Sequence, residues 1–138
     1  MKSIKYLFVN ILCFVIFCYS SFSQSTITVD DDLLDNPSAD FTSIQEAVDA
    51  ASNGDEILVY PGIYKGSGEE PVARFPYDSE LTLRSVSGSL VTIIDGEGLR
   101  SLIYGNGVSS LEIEGFTFRN YRTPEGATAN EYSALEIF

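Results

Sequence analysis

Three short apolar alternations recur along the chain and constrain what it can fold into. They are ILV at Ile57–Val59, LTL at Leu81–Leu83 and LEI at Leu111–Ile113. Each is followed by a turn and a second strand-like stretch that ends in a tight corner, starting at Ile63, Ile93 and Phe118. A third stretch follows each: VARF from Val72, SLIY from Ser101 and ALEIF from Ala134. Three short strands per unit, at near-regular spacing, is the pattern of a solenoid. No unit can bury its own apolar face, so neighbours must stack to bury a continuous one. Parallel stacking would also satisfy the backbone between coils about 4.8 Å apart.

This periodicity predicts which side chains pile up. Ile57, Leu81 and Leu111 are expected inside on one wall, and Ile63, Ile93 and Phe118 inside on another. Leu58, Thr82, Glu112 and Glu136 then point outward. Leu135 and Ile137 face inward, with Leu135 above Leu102. Lys65, Asp95 and Asn120 fall at matching corners. Asn120 reads equally as one rung of an asparagine ladder or as an ordinary turn residue, since Asn tolerates left-handed backbone.

One helix precedes the strands. Ile44, Ala47, Val48 and Ala51 form a single apolar stripe at helical spacing. Thr42 with Gln45, and Ser43 with Glu46, both fit a capping box, and Asn53-Gly54 offers a C-terminal stop. The expected helix runs over 42–53. A helix this short is marginal alone. Its stripe is therefore expected to lie over the first coil, Val48 near Ile57, and to cover the exposed end of the stack.

The N-terminus reads as a secretory signal. Lys2 and Lys5 precede an apolar run from Tyr6 to Tyr19, and Ser21 and Ser23 sit at the −3 and −1 places of a cleavage site before Gln24. The run falls short of the roughly 20 residues that span a bilayer. An uncleaved anchor and a lipid-modified Cys18 are the alternatives, although the bulky Phe17 before Cys18 suits a lipobox poorly. Both cysteines, Cys13 and Cys18, lie in this segment. The mature chain thus has no thiol or disulfide. It has no histidine either, which removes Ser-His-Asp, Cys-His and zinc-histidine chemistry. Loss of Lys2 and Lys5 takes the eight basic residues to six against twenty acidic ones, and the net charge from −12 to −14. Such a surface disfavours nucleic acid and anionic membranes. It suits calcium binding, or simply the solvation of an extracellular protein.

The stretch DFTSIQEAVDAASNGDEILVYPGIYKG, Asp40 to Gly66, resembles the N-terminal cap and first coil of right-handed parallel β-helix proteins of the pectin-lyase-like superfamily. VTIIDGEG, and LEIEGFTFRN with SALEI after it, resemble the coils that follow. The resemblance covers nearly all of residues 26–138. It implies an all-β fold: a right-handed parallel β-helix, or solenoid, of about three coils with an amphipathic capping helix at its N-terminus. The implied organisation is a signal peptide over 1–23, then the N-terminal part of a β-helix domain over 24–138, with its cap over 42–53 and coils over 56–138. The superfamily includes lyases, esterases and hydrolases of polysaccharides as well as β-helices with no assigned activity. The catalytic residues of its enzymes usually lie on coils beyond the cap. No position here matches one of their catalytic motifs, so the catalytic residues are unknown. No cofactor or metal site is assigned, while calcium stays open for a longer protein.

Several residue groups invite a functional reading, each beside a plainer one. Glu112 with Glu114 offers oxygens to a hard cation, or two solvated carboxylates. VDDDLLD at Val29–Asp35 suggests a calcium loop but lacks glycine at loop position 6 and has Phe41 at position 12, so it reads as an acidic lead-in loop. Arg84, Arg119 and Arg122 suit a sugar acid or plain surface charge. Tyr60, Tyr64, Tyr104 and Tyr132 suit sugar stacking, with Tyr64 and Tyr104 more naturally wall residues. GSGEEP at Gly66–Pro71 is a loop insertion of the kind that decorates one face of a solenoid.

Two functions follow as expectations. The first is a secreted or cell-surface β-helix with a non-catalytic adhesive or carbohydrate-binding role, whose partner is extracellular polysaccharide. The second is the N-terminal part of an extracellular polysaccharide lyase, esterase or hydrolase with its active site beyond residue 138. EYSALEIF stops inside an apparent strand. A longer protein is therefore expected, and self-association through the open C-terminal edge if that edge stays bare.

Overall fold

The computed structural model describes residues 24–122 and 135–137. The segment read as a signal peptide, Tyr132 and most of the stretch before the last strand lie outside the described residues. Ten short strands and one helix follow in the order β1 (Thr26–Val29), α1 (Ile44–Ala50), β2 (Glu56–Val59), β3 (Gly62–Lys65), β4 (Ala73–Phe75), β5 (Glu80–Ser85), β6 (Thr92–Asp95), β7 (Ile103–Gly105), β8 (Ser110–Glu114), β9 (Thr117–Arg119) and β10 (Leu135–Ile137). They form three sheets, β1-β2-β5-β8, β3-β6-β9 and β4-β7-β10, and every pairing is parallel. Each successive triplet of strands thus contributes one strand to each sheet. The chain is small and β-rich, as the repeat predicts. Among the described residues no helix is long and apolar enough to cross a membrane.

The first sheet keeps the expected face but shifts the register by two. Ile27, Ile57, Leu83 and Ile113 align in one column, and Leu81 aligns with Leu111. A shift of two residues preserves the alternation, so Ile57 and Leu83 are fully buried as expected. Outside, Glu56, Thr82 and Glu112 align, and Leu58, Arg84 and Glu114 align.

The second sheet turns Ile63 and Ile93 outward, against the sequence reading, while Phe118 faces inward as expected. The inward column is Tyr64, Ile94 and Phe118. Tyr64 and Ile94 are buried, whereas Ile63 is 44% exposed. Ile63 and Ile93 share the outward column with Thr117. The reason is the Tyr64 hydroxyl. It donates to the carbonyl of Tyr60 at 2.9 Å and is 3.3 Å from that of Val29, so a large ring is buried with its polar end satisfied. The matching corner residues are accordingly Lys65, Asp95 and Arg119, not Asn120. Asn120 has φ 53° and donates to Asp95 Oδ1 at 3.0 Å, so it staples a corner and joins no ladder of its own kind. In the third sheet Leu135 aligns with Ile103, one residue on from the expected Leu102, and Glu136 aligns with Tyr104.

The helix is shorter than expected at both ends. Ile44, Ala47 and Val48 are buried, and α1 packs on β1, β2 and β4, which places Val48 in one core with Ile57. No capping box forms: Ser43 is the N-cap but its side chain makes no cap bond. Ala51 is already extended, and Gly54, φ 91°, serves the following turn.

Gln45, freed from capping, and two aspartates finish the sheet edges instead. Gln45 lies against β4, accepting from Arg74 N at 2.6 Å and donating to Arg74 O at 3.2 Å, as a neighbouring strand would. Asp31 accepts from Ile63 N at 3.1 Å on the edge of β3. Asp40 accepts from Thr28 N at 2.8 Å on the edge of β1, and Phe41 adds a parallel bridge to Val29. Each sheet therefore has its first edge closed by a side chain. A bare parallel edge would offer unpaired amides to other chains.

Candidate functional site

The third sheet carries the most developed surface. In β4, Ala73 and Phe75 are buried and Arg74 between them points out. Register sets Arg74 beside Tyr104 of β7. The guanidinium lies 4.7 Å from the centre of the Tyr104 ring, within cation–π range. It also pairs with Glu70 at 2.7 Å.

Two adjoining hollows flank Arg74 and share Gln45 and Asp49 with it. One, of about 380 Å³, lies between α1 and the loop Gly66–Pro71 and includes Lys65 and Glu70. The other, of about 390 Å³, is lined by Tyr104, Tyr77, Pro76 and Asn106. Both fall in the range of small-ligand sites. Tyr77 is 81% exposed and rests on Gly107, where a Cβ would run into its ring. The groove thus combines two tyrosines, two cations, two carboxylates and side-chain amides.

The other sequence-derived candidates are committed elsewhere. Arg84 bridges Glu56 at 3.3 Å and Glu114 at 3.4 Å across the first sheet. Glu114 is thereby drawn to an arginine, while Glu112 stands exposed. Arg119 pairs with Asp95 at 2.8 Å. Arg122 follows it at the surface, its backbone N donating to Arg100 O. Burial alone would raise the Asp95 pKa, but the Glu97 N–H, the Asn120 amide and the Arg119 guanidinium outweigh it and hold the carboxyl below 3.8. Nearby, Glu97 bridges Lys65 and the buried Arg100, each at 3.1 Å.

The carboxylates of Asp30, Asp31 and Asp32 come within 4.8 Å of one another. Each has a backbone partner. Asp30 accepts from Asn36 N at 2.5 Å, Asp32 from Leu34 N at 3.0 Å, and Asp31 caps β3. They organise the lead-in loop that the sequence suggests. Asp40 is held below 3.8 by the hydroxyl and then the N–H of Thr28.

Of the tyrosines, Tyr64 is the wall residue expected, and burial, then the Asp31 charge, push its phenol well up. Tyr104 is half-exposed under Arg74 rather than buried in the wall. Tyr60 is half-buried and serves Tyr64 through its carbonyl. The loop Gly66–Pro71 does line a hollow. Sequence reasoning passed over Arg74 and Tyr77, and assigned Gln45 to the helix cap. The signal for Arg74 was legible: a charge between Ala73 and Phe75 in an alternating stretch must face out.

No protein-family model, no curated protein and no solved structure matches this chain.

Proposed function

We propose that this chain is part of a secreted or cell-surface right-handed parallel β-helix protein, of the pectin-lyase-like kind its cap segment resembles, with a non-catalytic carbohydrate-binding or adhesive role. The strand triplets that feed three parallel sheets in turn support the coiled reading. Export rests on the Lys2/Lys5 start, the apolar run and the Ser21/Ser23 pair.

The observation that carries binding is Arg74 held over Tyr104 in a groove that also presents Tyr77, Asn106, Asp49 and Lys65. Sugar rings stack their C–H faces on aromatic rings, and their hydroxyls need both donors and acceptors. A sugar carboxylate suits an arginine in particular. Asp40 and Asp95 are held ionised by their hydrogen bonds, whereas a general acid needs its pKa raised toward working pH.

Calorimetric titration with acidic and neutral oligosaccharides, with and without calcium, tests the reading. Arg74→Ala and Tyr104→Ala should each weaken binding about tenfold or more, in keeping with stacking worth ~1–2 kcal/mol. Absence of binding to every oligosaccharide would overturn it. Steady release of saccharide, abolished by one substitution among these residues, would favour the lyase, esterase or hydrolase alternative.

A further inference from the structure

The sequence Asn-Gly occurs twice, at Asn53-Gly54 and Asn106-Gly107. Glycine has no Cβ to hinder its amide nitrogen, so that nitrogen can reach the side-chain carbonyl carbon of a preceding asparagine. The fold treats the two pairs oppositely. Asn53 Nδ2 donates to Asp78 O at 2.9 Å, and its Oδ1 accepts from Glu80 N at 3.1 Å. The nitrogen that would attack, Gly54 N, donates to Glu80 O at 2.7 Å. Both reacting groups are therefore clamped.

Asn106 is exposed in the turn after β7. Among the described residues, neither its side-chain amide nor the Gly107 N–H has a hydrogen-bond partner. Gly107 sits at φ 67°, and its carbonyl accepts from Asp78 N at 2.8 Å. The other described asparagines are poorer substrates. Asn36 precedes Pro37, which has no N–H, and Asn120 precedes the bulky Tyr121.

We propose that Asn106 is a self-modification site, at which the folded protein converts asparagine to aspartate and isoaspartate. Gly107 N loses its proton and attacks Asn106 Cγ. A C–N bond forms, the Cγ–Nδ2 bond breaks, and nitrogen leaves as ammonia after taking up a proton. Water then opens the five-membered imide at either carbonyl. Opening at one carbonyl gives aspartate. Opening at the other gives isoaspartate, which adds a methylene to the backbone. No oxidant or reductant is involved, and water is the only co-reactant.

The product places a new negative charge in the hollow that holds Arg74, Tyr104 and Tyr77. That consequence rests on the groove reading, whereas the chemical step does not. A carboxylate at 106 would compete for Arg74 and disfavour acidic ligands over neutral ones.

The test is incubation of the folded chain in mildly alkaline buffer, with ammonia release and peptide mapping that separates aspartate from isoaspartate. Asn106 should convert at least about tenfold faster than Asn53, which reacts only when its turn opens locally. In denaturant the two should convert at similar rates, and Asn106→Gln should abolish native ammonia release. Equal native rates at 53 and 106, or no conversion at 106, would overturn the proposal. Conversion at 106 with unchanged oligosaccharide binding would leave the modification standing and count against the groove reading.

Discussion

The two ends of the strand stack are built differently. At the N-terminal end Val29, Ile44, Ala47 and Val48 are fully covered, and Gln45, Asp31 and Asp40 close the three sheet edges. At the β8–β9 end Leu111, Ile113, Phe116 and Phe118 remain only half-buried. The same column therefore runs from Ile57 and Leu83, with no exposure, to a partly exposed Ile113. Charge follows the same division. Every charged residue from Gln24 to Tyr64 is acidic, while the described basic residues lie between Lys65 and Arg122. A parallel rung draws its stability from neighbours on both sides. The capped end has replaced its missing neighbour with a helix and side-chain amide and carboxylate groups. Its uniform negative charge also repels a second copy.

The largest effect expected from this contrast is at the cap. Val48→Asp puts an unpaired charge where there is 1% exposure, which should cost on the order of 4 kcal/mol and abolish a cooperative melt. A melt unchanged in midpoint would show that the helix does not seal the stack. Next come truncations within one column. Leu83→Ala should cost about 3 kcal/mol and Ile113→Ala about half that, because cavity cost follows burial. Equal losses in urea unfolding would erase the difference between the ends. We further expect association of the chain to proceed through the β8–β9 end. Ile113→Lys should reduce the mass seen by light scattering, and a monodisperse parent protein would contradict this.

Gln45→Leu keeps the helix but leaves Arg74 N without its partner. It should cost about 1–2 kcal/mol and raise association, whereas Gln45→Glu should retain the acceptor for Arg74 N.

Acid should act more mildly. Asp40 and Asp95 are both below 3.8 in the folded chain. Their contribution is therefore present above the unfolded-state value and is lost as pH falls through the lower folded values. Asp95→Asn should flatten the fall in melting temperature below about pH 4. An unaltered acid limb would remove Asp95 from the account. The smallest effect belongs to Arg84→Ala. Its ion pairs with Glu56 and Glu114 are solvent-screened, so about 0.5 kcal/mol is expected, fading with salt.

How much of this was legible in the sequence varies by element. The first-sheet strands alternate cleanly, so Ile57, Leu81 and Leu83 were placed on the correct face even though the register moved by two. The second-sheet strands carry apolar residues on both faces, as in Ile63-Tyr64 and Ile93-Ile94, and alternation cannot choose between them. Burial of the Tyr64 hydroxyl decided the matter through carbonyls of Tyr60 and Val29. In the groove, Tyr104 was named but read more naturally as a wall residue than as a stacking platform. Arg74 lies thirty residues before it and meets it only through register.

The sequence by itself determined the strand class, the single short helix and its buried stripe. All three rest on periodicities of two or 3.6 residues that local sterics impose. Only the tertiary structure decided which partners the polar side chains take. Gln45 had an attractive local use in the helix cap, and Asp40 opens the segment before it. They serve distant strand edges instead, because an amide left bare there costs more than the local bond returns.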